Sequence, residues 1–434
     1  MNLNEWVPPE RLADWMLDAT NSLLATVEDL EDGDARWLAD YQEVINPAIW
    51  EIAHAAWFAE WFVLRQLHGR EPLMEDVDAR YDSAKVPHIT RWQLGYPDPS
   101  RTRQYVRDVG EALARLAIEP RGLDSTAYFT LYAIMHHDAH TEALTYTRQT
   151  LGWDRHPALA NSVSVEADTQ VEGDAKVDGG RLILGASRDQ PFVMDNERWA
   201  HAVEVKPFAL AKTAVTTSQF GEFVDAGGYR DERLWSPDGW RWRNEVRADQ
   251  PKYWRGRQDA WEHRVFDSWH SVADDADLAM SHVCWWEAEA FCTWAGRRLP
   301  TEPEWEMAAT TNSAGEKGCW YPWGERDATA ADAALDAHTG AVVPVGAFAS
   351  SDGPWGHRQL IGNVWEWTSS TFEPYPHFEP DAYRDNSEPW FGTRKVLRGG
   401  SWATRSRYVR STFRNYFTPD RRDVIAGFRT CAIH

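Results

Sequence analysis

Apolar residues recur at helical spacing through the first 150 positions of the chain. Leu12, Trp15, Met16, Leu23, Leu24 and Val27 line one face of a segment over 10–29, the period of an amphipathic helix. A second helix is predicted from Asn46-Pro47, with Pro47 at the first helical position, where its missing amide hydrogen costs nothing. Its apolar set is Ile49, Ile52, Ala53, Ala56, Trp57 and Leu64, and Gly69 ends it. Residues 70–100 lose the pattern and carry Pro72, Pro87, Pro97 and Pro99. A third helix is expected over 101–118 and a fourth over 124–151, opened by Asp124-Ser125 and closed by Gly152. Four helices with one long crossing loop predict an antiparallel bundle over residues 1–155.

The pattern then changes. Residues 156–178 are polar and acidic with little periodicity, as in a linker or a peripheral strand. From Gly179 to His434 glycines, tryptophans and short mixed segments dominate. Helices are expected there at His282 to Gly296 and after Thr301, through Trp305 to Ala309; the remainder reads as an irregular, loop-rich α+β domain. No stretch approaches 18 uncharged apolar residues, so no membrane partner is expected. The start, Met1-Asn2-Leu3-Asn4-Glu5, lacks the basic and apolar regions of a secretory signal, and the cytoplasm is the expected location. A formal net charge of −22 repels phosphate backbones and makes a nucleic-acid partner unexpected. Cys284, Cys292, Cys319 and Cys431 form no CxxC pair, so neither a thiolate metal site nor a disulfide framework is expected. Tryptophan is abundant, 26 residues, and its face is a good surface for a cation.

Candidate chemistry concentrates on the fourth helix, in His136-His137-Asp138-Ala139-His140-Thr141-Glu142. His136 and His140 are four apart, so their rings share one helix face and can share a metal. His54 lies on the apolar side of the second helix and points into the bundle, where metal sites are built from facing helices. Three neutral imidazoles leave a dication with open positions, an arrangement for catalysis and one that suits iron, zinc, copper or nickel. His137 falls on another face, structural or exposed, and Glu142 points elsewhere, with a supporting role open.

The C-terminal region resembles the formylglycine-generating enzyme (sulfatase-modifying factor) family. The motifs are Cys292 through Glu306, Tyr321-Pro322-Trp323-Gly324, Gly362-Asn363-Val364-Trp365-Glu366-Trp367, Arg398-Gly399-Gly400-Ser401-Trp402, and Arg414-Asn415 through Gly427-Phe428-Arg429. The resemblance implies a C-type-lectin-like α+β fold, in which most of these residues, among them Arg297, Glu304, Trp305, Trp365 and Trp367, are structural. Formylglycine generators bind copper through cysteines shortly after Gly-Gly-Ser; Trp402 through Arg410 contains none, so that activity is not expected. Bundle and C-terminal domain together resemble the sulfoxide synthases: the ergothioneine enzyme EgtB, the ovothiol enzyme OvoA and the selenoneine enzyme SenA, whose bundle is of the DinB type. The resemblance implies Fe(II) held by His54, His136 and His140. It also implies an O2-dependent reaction that joins sulfur or selenium to an imidazole carbon of a histidine derivative such as hercynine. A trimethylated histidine needs an aromatic wall for its quaternary ammonium.

In that family two segments complete the pocket, here Tyr81 through Trp92 and Phe413 through Phe417. The expected substrate-binding residues are Arg91 and His88 from the first and Asn415, Tyr416 and Phe417 from the second. Users of γ-glutamylcysteine carry an acid at the place of Phe417 and a pair of arginines at the first segment. A phenyl ring cannot be an ammonium counter-ion, which turns the expected donor toward a selenosugar (selenoglucose) or a cysteine-type thiol. The glutamine expected before the last ligand is Ala139. The Val86-Pro87-His88 loop running to Arg91-Trp92 resembles the selenoneine-type group most. Family members use a tyrosine as proton donor, and Tyr375, Tyr383 and Tyr416 are the candidates. The alternatives are an ergothioneine-type sulfoxide synthase using cysteine or γ-glutamylcysteine and, of another class, a DinB-type thiol transferase or a non-catalytic lectin-like binding protein.

Overall fold

Every residue from Ala48 to Ala59 is buried. The computed structural model describes residues 3–119, 124–167, 171–257, 260–311 and 320–433, and this helix sits at the centre of its first unit, Met1–Ala160 with Asp189–Phe192. Four long helices build that unit: α1 (Pro9–Ala25), α2 (Ala48–Ala59), α3 (Pro99–Ile118) and α4 (Asp124–Leu151). α1 and α2 each pack on both α3 and α4. α1 is amphipathic, with Leu12, Met16 and Leu23 buried and Asp14 and Leu17 exposed. α2 is apolar nearly all round and is therefore enclosed all round. Gly110 lets α3 approach α1 closely, since a Cβ there would fall 2.3 Å from Thr20 Oγ1.

The second helix departs from expectation at both ends. Pro47 is the capping residue and not the first helical one, because its ψ of 134° is extended. The α-helix stops at Ala59 and continues as a π-helix over Glu60–Leu67 before Gly69 turns the chain at φ 61°. The buried Glu60 carboxylate that opens the wider turn accepts hydrogen bonds from Tyr105 Oη at 2.9 Å and from the Leu73 amide.

The second unit comprises Asn161–Arg188 and Val193–His434. One antiparallel sheet orders its strands Asp174–Val177, Phe208–Ala211, Cys431–Ala432 and Arg297–Arg298. Its edge strand comes from the polar 156–178 stretch, where Ala175 and Val177 alternate inward. A second sheet orders Asn415–Phe417, Lys395–Arg398, Trp365–Thr371 and Ala426–Gly427, the last pair parallel. Two expected helices are present, the first of them shorter than expected. Trp285–Trp294 starts only after Cys284 caps it, and Glu302–Thr310 opens on a capping box between Thr301 and Glu304. Helices Thr217–Asp225 and Pro237–Val246 were not expected: each spans about ten residues and is interrupted by Gly221 or Gly239. Their caps, Thr216 with Gln219 and Ser236 before Pro237, are the legible signal.

Family-motif residues hold this unit together through buried ion pairs. Arg398 donates to Glu302 and Glu306 at 2.7 Å each, and Arg414 donates to Glu302 at 2.7 and 3.0 Å. Arg429 grips Glu366 with two bonds of 2.6 and 2.7 Å, and the same carboxylate accepts from Trp305 Nε1 at 2.8 Å. Arg297 pairs with Asp174 across the sheet. Cys284, Cys292 and Cys431 are buried free thiols; Cys319 lies outside the described residues. Among the described residues, no helix is long and apolar enough to cross a membrane.

Candidate metal centre

Helices α2 and α4 face each other with three imidazoles between them. His54 comes from α2, and His136 and His140 come from adjacent turns of α4. One ring nitrogen from each lies within 4.8 Å of the other two. His136 Nε2 and His140 Nε2 are 3.2 Å apart, the separation of two nitrogens that share one metal at about 2.0–2.1 Å each.

The far side of two rings is fixed by hydrogen bonds. His54 Nδ1 donates to the Tyr81 carbonyl at 2.7 Å, and His140 Nδ1 donates to Glu51 Oε1 at 2.7 Å. A carbonyl and a carboxylate can only accept, so both rings carry hydrogen on Nδ1, which leaves Nε2 as the atom that can ligate. Aromatic stacking sets the ring planes. His54 lies 4.5 Å from Trp50 with 9° between planes, and His136 lies 3.9 Å from Phe58 with 13°.

Burial pushes the pKa of His54 and of His136 well below the ordinary histidine value, and the neighbouring imidazoles push the same way. Both rings are therefore neutral near pH 7. Burial pushes the Glu51 carboxyl up, but the neighbouring His140 imidazole, with smaller effects from Asn46 and Arg91, outweighs it and leaves the carboxyl below its usual range. The site thus offers two imidazoles that burial keeps neutral and a third braced by a buried carboxylate, a donor set that fits a divalent transition metal.

Residues 160–433 match the family described as the sulfatase-modifying factor enzyme 1-like domain. The chain is 35% identical to the hercynine oxygenase of Mycolicibacterium thermoresistibile, covering 96% of this chain and 94% of that one. It is 34% identical to the hercynine oxygenase of Mycobacterium tuberculosis, covering 97% and 98%. This chain belongs to the hercynine oxygenase family. Its C-terminal part is also 31% identical to the formylglycine-generating enzyme of Thermomonospora curvata, over 60% of this chain and 93% of that one. The resemblance read from the motifs is borne out at the level of the family, as is a helical N-terminal part followed by a lectin-like α+β domain.

The other candidate residues of this hercynine oxygenase relative have definite places. Arg91 lies beside the metal centre, with its guanidinium carbon 3.8 Å from the centre of the Trp50 ring. His88 does not join it: its Nε2 meets the Ile45 carbonyl at 2.7 Å, between Tyr41 and Trp92. The remaining candidates belong to the second unit. Tyr416 stacks on Phe372 at 4.0 Å and donates its hydroxyl to the Asn386 carbonyl. Asn415 Oδ1 accepts from the Tyr416 amide at 2.7 Å, and the Arg421 guanidinium lies 4.8 Å from the Phe417 ring centre. Tyr383 is partly exposed. Tyr375 is buried against Arg414 at 4.1 Å, and its hydroxyl meets no hydrogen-bond partner among the described residues. His137 is buried, with Nδ1 2.9 Å from the Ala133 carbonyl, and Glu142 is buried too.

The carboxylate behind the site is Glu51, which sequence reasoning missed. A signal existed: Glu51 precedes His54 by three residues, one turn away, in a helix otherwise apolar. Replacing it tests its work. Glu51→Ala should weaken divalent-metal binding about 10- to 100-fold, the usual cost of losing a ligand's hydrogen-bond partner, and Glu51→Gln by less. Equal metal dissociation constants in all three proteins would refute that role.

Proposed function

We propose that this chain is an iron-dependent oxidoreductase that oxidises hercynine and joins selenium or sulfur to its imidazole carbon. The observation that carries the reading is the three-imidazole centre in a chain whose relatives, matched over nearly their full length, are hercynine oxygenases. The overall reaction balances as hercynine C–H plus a selenol or thiol plus O2, giving the selenoxide or sulfoxide and water. His54, His136 and His140 would hold ferrous iron, which would supply the capacity to bind and reduce O2.

The chain's own groups then have separate tasks. Tyr81 and Glu51 keep two imidazoles in the ligating tautomer. Of the three candidate tyrosines, Tyr375 is the one proposed as proton donor. Burial pushes its pKa well above the ordinary tyrosine value, so it stays protonated, and its hydroxyl is uncommitted among the described residues. Tyr375→Phe should lower turnover while leaving metal content unchanged.

The donor is proposed from the chemistry of Asn415, Tyr416 and Phe417. γ-Glutamylcysteine carries an ammonium and two carboxylates, which need fixed counter-charges where water is excluded. A sugar needs hydrogen-bonding groups and an apolar face, which an amide, a phenol and a phenyl ring supply. An aerobic assay of hercynine with selenoglucose, cysteine or γ-glutamylcysteine, read by mass spectrometry, tests this. The expected order is selenoglucose modestly ahead of cysteine, with negligible use of γ-glutamylcysteine. Fastest consumption of γ-glutamylcysteine would replace the selenoneine-type assignment with an ergothioneine-type one, and no product from any donor would remove the enzyme reading.

A further inference from the structure

The loop between α2 and α3 braces the metal centre from outside, and Arg91 is where its contacts converge. Family resemblance gives Arg91 to a carboxylate of the chalcogen donor. In the structure it also contacts residues that border the metal centre. Nη1 donates to Asn46 Oδ1 at 2.6 Å, Nη2 reaches the Val86 carbonyl at 3.4 Å, and the guanidinium stands 3.8 Å from the centre of the Trp50 ring.

One path leads inward from these partners. Trp50 is buried, anchored by its Nε1 to the Arg80 carbonyl at 2.9 Å, and its ring is stacked on His54. A guanidinium over the indole therefore fixes the plate against which that imidazole rests. Asn46 helps hold the guanidinium in that place, its Oδ1 accepting from Nη1.

We propose that Arg91 is a positioning residue of the metal centre, acting on His54 through Trp50. The inference rests on the proposed function only in that His54, His136 and His140 hold a divalent metal. It sets Arg91 one step further out than Glu51, so its loss should cost less.

The test uses the full chain, stripped of metal and titrated with Co(II) without oxygen, with the visible absorption of bound Co(II) as the readout. Arg91→Met should weaken Co(II) binding about three- to tenfold, below the range for losing a direct hydrogen-bond partner of a ligand, and shift the absorption bands. Arg91→Lys should recover part of the affinity, because it keeps the charge without the flat multi-donor face. Asn46→Ala, which keeps Arg91 but removes a bond that holds it over Trp50, should move affinity in the same direction by a smaller factor. In steady-state assays with metal in excess, the donor KM should be unchanged by Arg91→Met while kcat falls. Wild-type Co(II) affinity and spectrum in Arg91→Met, or a donor KM raised tenfold or more with Co(II) binding intact, would overturn the proposal. Should Arg91→Met fail to fold, wild-type behaviour of both Arg91→Lys and Asn46→Ala would overturn it. A wild-type chain that binds no Co(II) would instead overturn the metal reading, and this inference with it.

Discussion

His136→Ala is expected to abolish bound iron and turnover together. His136 contributes a neutral ring whose Nε2 lies 3.2 Å from that of His140. Burial holds its pKa far down, so no proton competes for the lone pair near pH 7. Without it two ligands remain, on different helices, and no other histidine, cysteine or carboxylate completes a metal-binding group with them among the described residues. Losing a ligand should exceed the roughly 10- to 100-fold loss that follows removal of an outer partner. Iron in protein purified without oxygen should drop from about one per chain to a small fraction of that, as read by elemental analysis. His137→Ala is the control: His137 is buried one residue away but bonds to the Ala133 carbonyl, so its loss should affect stability and spare the iron. Full iron occupancy in His136→Ala would sink the three-histidine assignment.

Arg429→Met is expected to cost about 3–5 kcal/mol of stability, the usual price of breaking a buried ion pair from one side. Arg429 and Glu366 are 0 and 1% exposed, and the pair is two-pronged. Removing the guanidinium leaves the carboxylate with Trp305 Nε1 at 2.8 Å as its remaining side-chain donor. The backbone carbonyls of Lys212 and Arg358, to which Arg429 also donates, lose a partner as well. Urea unfolding should show the loss, and Arg429→Met with Glu366→Leu should recover part of it, because the stranded charge is gone. A double variant no better than the single one would mean that the carbonyl contacts, and not the ion pair, carry the cost.

Much of the helical unit was legible because its signals are local. Helices α3 and α4 lie within two residues of the spans read from periodicity and punctuation, since proline, glycine and capping residues mark their ends. The pair His136 and His140 followed from helical spacing alone, and His54 from its place on an apolar face. What surrounds them was not legible. Tyr81 serves His54 through a backbone carbonyl, which any residue could present. Glu51 meets His140 across 89 positions of chain, a pairing visible only once α2 and α4 are packed. Arg91 was read by resemblance, and its partners Asn46 and Trp50 are set by the path of an irregular loop. In the second unit Trp305, Trp365 and Trp367 are buried and Arg297 and Glu304 are ion-paired, while the Thr217–Asp225 and Pro237–Val246 helices, each containing a glycine, carried no family motif to mark them.

Because His54 sits on α2 and its two companions on α4, the centre does not exist in either helix alone. About 80 residues separate His54 from His136, and closing a loop of that length costs roughly 4 kcal/mol of chain entropy. Assembly of the centre is therefore non-local and requires distant segments to dock. A metal that binds the docked form alone pulls on that equilibrium by mass action, by about 4 kcal/mol at a thousandfold excess over its dissociation constant. Amide hydrogens at the α2–α4 contact should consequently exchange more slowly in the metal-loaded chain, while those of the exposed loop tips should not change.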